Sequence, residues 1–306
     1  MKTKSRCQPI FVIIALAAGI ANSMAQSNIY SLNVVGYYNL LVPASTLTLI
    51  ANQLNTTNNT IGSLLPAPSP GSAIFKFKDG DWDRYDFDPD DLVWYPDDLT
   101  TLNPGEGAFY YSPTATTLTF VGEVMQGSLS TRIAGSNQVS VVSSKAPQQG
   151  ALFSTLQFPQ IDGASLYFFT NITELFTYPI MCFEGYGWFD PRIGPDEYEP
   201  LVEPVLDVGQ AFLVQNSGPD TNWIRNFTVN FVGTGMVGPS SAKIGQIQVA
   251  DGIIRLRILN PKGATYTVQF SGDGVGWVTV AANQTTTSWK EPLRAGAQGY
   301  YRLVNS

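Results

Sequence analysis

Short runs rich in Val, Ile, Thr, Tyr and Phe dominate this sequence and limit most strongly what it can fold into. They recur between Gly, Pro, Asn and Asp residues, and no segment after residue 25 shows a long apolar period of about 3.6 residues. Runs of this kind, bounded by turn-forming residues, are typical of strands. The sequence therefore predicts an all-β protein, with at most a helical turn over TIGSLLP that ends at Pro66.

The order of these runs repeats once along the chain. The segments LTLIANQLNTTNNTIGSLLP, SAIFKF, LNPGEGAFYYSP and TLTFVG are followed, in the same order, by VSVVSSKAPQQGALFSTLQFP, SLYFFT, LDVGQAFLVQNSG and FTVNFVG. Four matched blocks in one order indicate an internal duplication. Each copy has about 100 residues, which is too long for a solenoid repeat, so we expect two tandem β modules, each sandwich-like or barrel-like.

A glycine that permits a positive φ precedes an Ala-Phe pair in both copies. The pairs are Ala108–Phe109 after Gly105 and Ala211–Phe212 after Gly209. The spacing between glycine and alanine differs by one residue between the copies. This difference predicts a β-bulge or an altered loop in one of them.

The patterns divide the chain into a signal peptide over residues 1–25, a first β module over 26–127, a second module over 128–236 and a small antiparallel sandwich over 237–306. The first part has a cationic start, an apolar run and a small-x-small cleavage site. It predicts a secreted or cell-surface protein, with the periplasm left open. The last part follows a Gly-, Ser- and Pro-rich linker and contains six short strand-like runs.

Composition argues against several classes of function. The chain has 17 Lys and Arg against 24 Asp and Glu, and three of the cations lie in the signal peptide. The acidic mature surface repels nucleic acid and anionic membranes, and no later segment is long and apolar enough to insert into a bilayer. The absence of histidine removes the commonest general base and zinc ligand. We expect no enzyme, with a carboxylate-dependent glycoside hydrolase as a distant alternative.

An aspartate-rich stretch, KDGDWDRYDFDPDDLVWYPDD, covers residues 78–98. It partly matches the calcium loop of an EF-hand, but Arg84 stands where that loop needs glycine and no helical pattern flanks it. Two interpretations stay open, a solvated loop and a looser calcium site on a β-loop, and calcium is the one cofactor considered. The six candidate calcium ligands are Asp79, Asp81, Asp83, Asp86, Asp88 and Asp90.

Aromatic residues beside these acids suggest a second site. Exposed rings next to carboxylates can bind sugars by stacking and hydrogen bonding, whereas Trp and Tyr in β proteins also serve as half-buried packing residues. Both interpretations stay open. The candidates for stacking are Trp82, Trp94, Tyr95 and Trp188.

The strand-like arm QSNIYSLNVVGYYNLLV directly follows the predicted cleavage site. Such an arm can complete the open sheet edge of a neighbouring molecule, or it can pair within its own domain. The arm makes a second copy of the chain one expected partner, and the aromatic candidates make an extracellular polysaccharide the other.

Cys182, in the apolar run PIMCF, is expected to be a buried, inert thiol.

The phrases SLNVVGYYN, LIANQLNTTNNT, LNPGEGAF and FVGEV resemble a family of exported proteins of unknown activity in Verrucomicrobia-like and Planctomycetes-like bacteria. The tail phrases YTVQFSGDGVGW and GYYRLV are similar to fibronectin-III-like or immunoglobulin-like sandwich modules. The resemblance implies a location and an architecture, and it carries over no catalytic residue. We expect a non-enzymatic exported protein with a structural, matrix or adhesive role at the cell surface, or alternatively a carbohydrate- or calcium-binding accessory protein.

Overall fold

The computed structural model describes residues 33–193, 201–229, 242–260 and 263–305. The predicted signal peptide and the predicted linker at residues 233–241 lie outside these ranges. Strands hold 53% of the residues and helix 2%, which confirms the all-β prediction. The sheets are antiparallel and open, because each of them ends in two edge strands.

The first copy contains one five-stranded sheet and two strands, β1 and β7, that belong to a second sheet. In the sheet the order is β2-β6-β3-β4-β5, while β1 pairs with β7. The helical turn expected near TIGSLLP is present, capped by the side chain of Thr60. The elements are β1 (Val35–Val42), β2 (Thr46–Ala51), α1 (Ile61–Leu64), β3 (Ala73–Lys78), β4 (Asp81–Asp88), β5 (Val93–Tyr95), β6 (Gly107–Ser112) and β7 (Thr116–Glu123).

The second copy repeats this topology. Its five-stranded sheet has the order β9-β17-β11-β14-β15, and β8 pairs with β18 as β1 pairs with β7. The duplication is therefore confirmed strand by strand. The elements are β8 (Gly127–Ile133), β9 (Gln138–Val142), β10 (Gly150–Ala151), β11 (Ala164–Tyr167), β12 (Phe169–Thr170), β13 (Leu175–Phe176), β14 (Ile180–Phe183), β15 (Gly187–Phe189), β16 (Val205–Leu206), β17 (Phe212–Asn216) and β18 (Thr221–Phe227).

The pairing of β6 and β17 corrects the expected bulge. Ala108 lies in the core of the first copy and Phe109 faces the second copy, whereas Ala211 faces the first copy and Phe212 lies in the core of the second. The ladders β2–β6 and β9–β17 both run without a register shift. The copies therefore align at their preceding glycines, so that Ala108 corresponds to Phe212. The two Ala-Phe pairs are identical in sequence, but their positions in the two equivalent strands differ by one residue.

The fourth matched block also needs a correction. The strand that follows β6 is β7, and its counterpart after β17 is β18, with the sequence TNWIRNF. The block FTVNFVG begins only at the last residue of β18. The segments TLTFVG and FTVNFVG were matched because both are short apolar runs that end in Phe-Val-Gly, although they do not occupy equivalent strands.

The C-terminal part completes its sandwich with strands of the first copy. Its strands β19, β20 and β23 form one sheet, while β21, β22 and β24 continue through β1 to β7 in the order β22-β21-β24-β1-β7. The predicted boundaries stay a prediction, and the structure adds a sheet that crosses them. The elements are β19 (Lys243–Ala250), β20 (Ile253–Leu259), β21 (Tyr266–Ser271), β22 (Val278–Gln284), β23 (Ser288–Pro292) and β24 (Gln298–Asn305).

Strand β1 is buried on both faces. Tyr37 lies in the core of the C-terminal sandwich and Tyr38 in the core of the first copy. A strand covered on both faces reads as a continuous apolar run, which explains the sequence VVGYY at residues 34–38, whereas Leu41 farther along β1 is exposed. The described part of the N-terminal arm pairs with β24 on one edge and β7 on the other. Residues 35–38 of this strand are therefore paired on both edges, and self-assembly of the protein stays a prediction.

The outer faces of the two five-stranded sheets pack against each other. Two main-chain hydrogen bonds join the copies reciprocally: Ala51 N donates to Gly209 O at 2.7 Å, and Ser143 N donates to Gly105 O at 2.9 Å. The two bonds link equivalent residues in exchanged roles, so the copies are related by an approximate two-fold axis. The hydrophobic cluster between them comprises Leu49, Ala51, Phe109, Phe169 and Ala211.

Candidate binding groove

The first three predicted calcium ligands belong to a strand and its turn. Asp79 and Gly80 form a two-residue hairpin turn in which both φ angles are positive, at 52° and 93°, as Asp-Gly turns of this kind require. Asp81 and Asp83 lie opposite Lys78 and Lys76 across the β3–β4 ladder. The D-G-D-W-D pattern is therefore explained by the turn and by cross-strand charge pairing.

The remaining predicted ligands are used locally. The Asp86 carboxylate accepts a hydrogen bond from Arg84 at 2.7 Å, and Asp88 accepts one from the Asp90 amide at 2.8 Å. Alternation along β4 puts Asp86 and Asp88 on the face opposite Asp81. Over the residues that the structure describes, no three acidic or cysteine side chains are gathered to hold a metal ion. Calcium binding stays a prediction without a preformed ligand set.

Two of the predicted sugar-stacking residues occupy equivalent core positions. Trp94 is 2% exposed, and its Nε1 donates to Leu65 O at 3.2 Å. Trp188, the counterpart of Trp94 in β15, is half-buried and stacks on Phe153 with ring centroids 5.3 Å apart. Trp94 thus offers no ring face to a sugar. The presence of tryptophan in both copies reflects core packing.

The other two candidates lie apart from each other. Trp82 is half-buried in the cluster between the copies, with ring centroids 5.1 Å from Phe77 and 5.0 Å from Phe109. Tyr95 is 50% exposed, and its hydroxyl donates to Asp91 at 3.2 Å. Among the described residues no two of the four candidate rings are in contact. The structure does not bring them together as one stacking surface.

Cys182 lies in β14 with its thiol buried. Burial raises the pKa of this thiol. A buried thiol with a raised pKa is a poor nucleophile at neutral pH.

A polar groove of about 1240 Å³ lies between the two copies. Its sides are formed by the β3–β4 hairpin at residues 76–80, the segment 103–107, strand β8 at residues 130–132 and strand β9 with its preceding turn at residues 137–142. Both copies are needed to form it. Its lining carries six amide side chains, from Asn55, Asn59, Asn103, Asn137, Gln138 and Asn222.

The groove exists because the approximate two-fold symmetry is broken. In one half, the β12–β13 hairpin of the second copy closes onto the first copy: Phe169 packs on Phe109 at 4.7 Å, and the Glu174 carboxylate accepts the Leu47 N–H at 2.8 Å. We call this the closed half. In the other half, the equivalent β3–β4 hairpin does not cover β9. Phe77 is the counterpart of Phe169, and it packs on Trp82 of its own hairpin. This open half is the groove.

Strand β9 presents a main-chain donor to the groove. It is an edge strand, and the Ser143 N–H points away from its sheet partner towards Gly105. Alternation along the strand therefore points the Val139 N–H outward as well. Val139 pairs with Gln215 as Leu47 pairs with Tyr111, so it is the counterpart of the residue that Glu174 caps. Within the described ranges the outward N–H of Val139 has no partner.

The groove also gathers positive charge in an acidic protein. Four of the 17 cationic residues line it, against two carboxylates, those of Asp79 and Glu106. Three of these cations have an acidic neighbour: Lys76 pairs with Glu106 at 2.9 Å, Arg132 pairs with Asp220 at 2.5 Å, and Lys78 lies opposite Asp81. The fourth is Lys145.

Lys145 has no carboxylate within ion-pair distance among the residues that the structure describes. Its stem lies over Gly105, where a Cβ atom would be 2.8 Å from Lys145 Cγ. Gly105 also has φ +90°, a conformation that favours glycine. The glycine thus leaves room for a groove cation that makes no ion pair with the described residues.

Sequence reasoning did not find these groove residues. Lys145 and Val139 belong to the second copy and the 76–80 hairpin to the first, and no local pattern connects them. The one available signal was the alternation of Lys76 and Lys78 with phenylalanine in AIFKFK, which places two cations on one face of β3.

Comparison of the chain with protein-family models, with curated proteins and with solved structures gives no match in any of the three. In the described part of the chain, no helix has the length and apolar character needed to cross a membrane. The proposals below therefore depend on the geometry of this molecule.

Proposed function

We propose that this protein is a non-enzymatic, exported binding protein of the cell surface or extracellular matrix, and that it holds a polysaccharide in the groove between its two copies. The observation that carries the proposal is the open half of the approximate two-fold, where one hairpin leaves a polar groove uncovered. Binding of a matrix polysaccharide there would supply an adhesive role.

The chemistry of the lining supports a polysaccharide. A sugar hydroxyl both donates and accepts hydrogen bonds, and amide side chains offer both functions within one group. Four of the six amides, those of Asn103, Asn137, Gln138 and Asn222, are exposed, and the exposed hydroxyl group of Ser130 lies with them in the lining. An open groove with this lining suits an extended polymer better than a compact apolar ligand.

The carboxylates of the groove support binding over hydrolysis. Glu106 is engaged by Lys76 at 2.9 Å and by the Asn103 amide at 2.8 Å. A carboxylate held by these two donors acts as a structural acceptor, whereas glycoside hydrolysis needs a pair of acids placed on either side of the scissile bond. Asp79 lies in the hairpin turn.

The test is a groove-filling substitution with a matched control on the same strand. Asn222 and Asn226 are both exposed on one face of β18, but only Asn222 lines the groove. Polysaccharide panels are screened by affinity electrophoresis and the best binder is titrated by calorimetry. We expect Asn222→Trp to weaken binding by about tenfold or more, and Asn226→Trp to leave it unchanged.

Two results would contradict the proposal. One is that no polysaccharide in the panel binds the purified protein. The other is that a polysaccharide binds equally well to both tryptophan variants, because its site would then lie outside the groove.

A further inference from the structure

We infer, on the basis of the polysaccharide-binding function proposed above, that the groove selects polymers bearing carboxylate groups, and that these carboxylates meet the Val139 N–H at one end of β9 and Lys145 at the other end. The inference names the ligand class and the two groups of this chain that recognise it. It rests on the closed half of the molecule, which already contains the same interaction.

The closed half shows how a carboxylate binds a strand edge in this fold. Glu174, at the tip of the β12–β13 hairpin, accepts the outward N–H of Leu47 on edge strand β2 at 2.8 Å. Hydrogen bonds between an ionised acceptor and a backbone N–H are stronger than neutral ones. The contact occupies a donor that would otherwise stay free at the sheet edge.

The open half offers the same donor without the acceptor. Val139 on β9 is the counterpart of Leu47 on β2, and its outward N–H faces the groove. The hairpin that would have supplied a carboxylate ends in Asp79 and Gly80, a two-residue turn on the far side of the groove. A carboxylate from a ligand can take the position that Glu174 takes in the closed half.

One groove cation is placed to attract an anionic ligand. Two of the cations form ion pairs, Lys76 with Glu106 and Arg132 with Asp220, and the acids of the first hairpin, Asp79, Asp81 and Asp83, lie beside or opposite Lys78 and Lys76. Lys145 is the remaining cation, and it lines the groove near the end of β9, above the glycine that accepts the Ser143 N–H. A carboxylate in the groove would balance this charge.

A polysaccharide fits this edge better than a peptide strand. The far end of β9 is closed by a bridge between Glu106 and Val142, so only a short length of the edge is open. A peptide adding to the sheet needs a ladder of main-chain bonds along the edge, whereas a carboxylate needs one or two donors. The amide side chains around the edge then serve sugar hydroxyls.

The experiment compares polygalacturonate with its carboxyl-reduced form, which keeps the chain and loses the charge. We expect the purified protein to bind polygalacturonate about tenfold more tightly or better, with the difference shrinking as salt is raised. Lys145→Gln should remove most of the difference, Lys145→Arg should restore it, and Lys243→Gln, an exposed cation outside the groove, should have no effect.

A second variant tests the main-chain donor. Val139→Pro deletes the outward N–H at an edge position, where proline is tolerated because the ladder bonds of β9 are made by its neighbours. We expect it to weaken polygalacturonate binding about tenfold while binding of the carboxyl-reduced polymer is unchanged. Thermal unfolding shows whether Val139→Pro is folded. If it is not folded, the binding measurements on the Lys145 variants test the inference instead.

The outcomes separate this inference from the proposed function. Equal affinity for the charged and reduced polymers, lost in Asn222→Trp, would overturn the carboxylate inference and leave the polysaccharide function standing. Binding of neither polymer, nor of any other polysaccharide, would overturn both. Tighter binding of poly-glutamate than of polygalacturonate would assign the edge to a peptide and also overturn the inference.

Discussion

The closed and open halves of this molecule start from one topology and end with different surfaces. In the first copy the β3–β4 ladder is continuous to its turn, from Ala73 opposite Asp86 to Lys78 opposite Asp81. In the second copy the equivalent ladder is split into β11–β14 and β12–β13, so the hairpin can change direction at the interruption. An uninterrupted hairpin thus leaves a groove, and an interrupted one fills the equivalent space. The difference teaches that a small change in one connection can convert a packing contact into a binding surface.

The same comparison explains the aspartates. Strand β4 carries Asp86 and Asp88 where its counterpart β14 carries Met181 and Phe183. The module therefore folds with or without acids on this strand. They contribute to the charge of one copy and to its turns, and the fold does not depend on them.

The largest expected effect comes from the matched phenylalanines of the two hairpins. Phe169 is 9% exposed and packs on Phe109, so Phe169→Ala should lower the free energy of unfolding by about 3 kcal/mol. Phe77 is half-buried against its own hairpin, so Phe77→Ala should cost about 1 kcal/mol or less. Urea unfolding measures both. Equal losses would contradict the distinction between a closed and an open half.

The two equivalent glycines should differ next. Gly209 has φ +78°, and a Cβ there would lie 2.7 Å from Leu40 Cδ2 and 2.8 Å from Tyr38 Cε2 in the core. Gly209→Ala should therefore destabilise the protein by about 2 kcal/mol through backbone strain and overpacking. Gly105→Ala places its Cβ against the flexible Lys145 stem and 3.0 Å from the Thr131 hydroxyl oxygen, and should cost about 1 kcal/mol.

For binding affinity the order of the two variants should be reversed, with the larger effect at Gly105. Gly105→Ala displaces Lys145 and should weaken polygalacturonate binding, whereas Gly209→Ala should not. If the two variants affect stability and binding in parallel, the glycines do not have the separate roles described above.

A smaller effect is expected at the cap of the closed half. Glu174→Ala removes the acceptor of the Leu47 N–H and should cost about 1 kcal/mol. Hydrogen exchange at the Leu47 amide should become faster, since its protection depends on this contact. Asp79→Ala, at the hairpin tip of the open half, is the matched control and should leave exchange at Val139 unchanged. A change there would show that the first hairpin already caps β9.

The smallest expected effect is that of calcium. Because the described carboxylates are not gathered into a ligand set, millimolar calcium should shift the unfolding temperature by about 1 °C or less. The double variant Asp81→Asn with Asp83→Asn should unfold like the unmodified chain, to within about 0.5 kcal/mol. A calcium-dependent rise of several degrees that the double variant abolishes would restore the calcium site.

Much of the fold could be predicted because strand patterns are local. Alternation and turn residues identified the strands and the duplication, whereas the Asp79–Gly80 hairpin turn was interpreted as part of a solvated loop or calcium site. The Ala-Phe pairs were misread because one residue of register moves a side chain to the opposite face of a sheet. Identical letters therefore pointed to opposite environments at Ala108 and Ala211. The candidate site could not be predicted in this way, since its residues come from both copies.

The sequence by itself determined the strand content, the repeat and the acidic character of this protein, because each follows from composition or from spacings of a few residues. Tertiary structure alone decided that β1 joins the first copy to the C-terminal sandwich, with Val35 opposite Tyr301. It also decided that Val139, Lys145 and the first hairpin share a groove. The physical reason is that these contacts depend on which distant edges and faces pair, and pairing over such separations is set by the burial of the whole core.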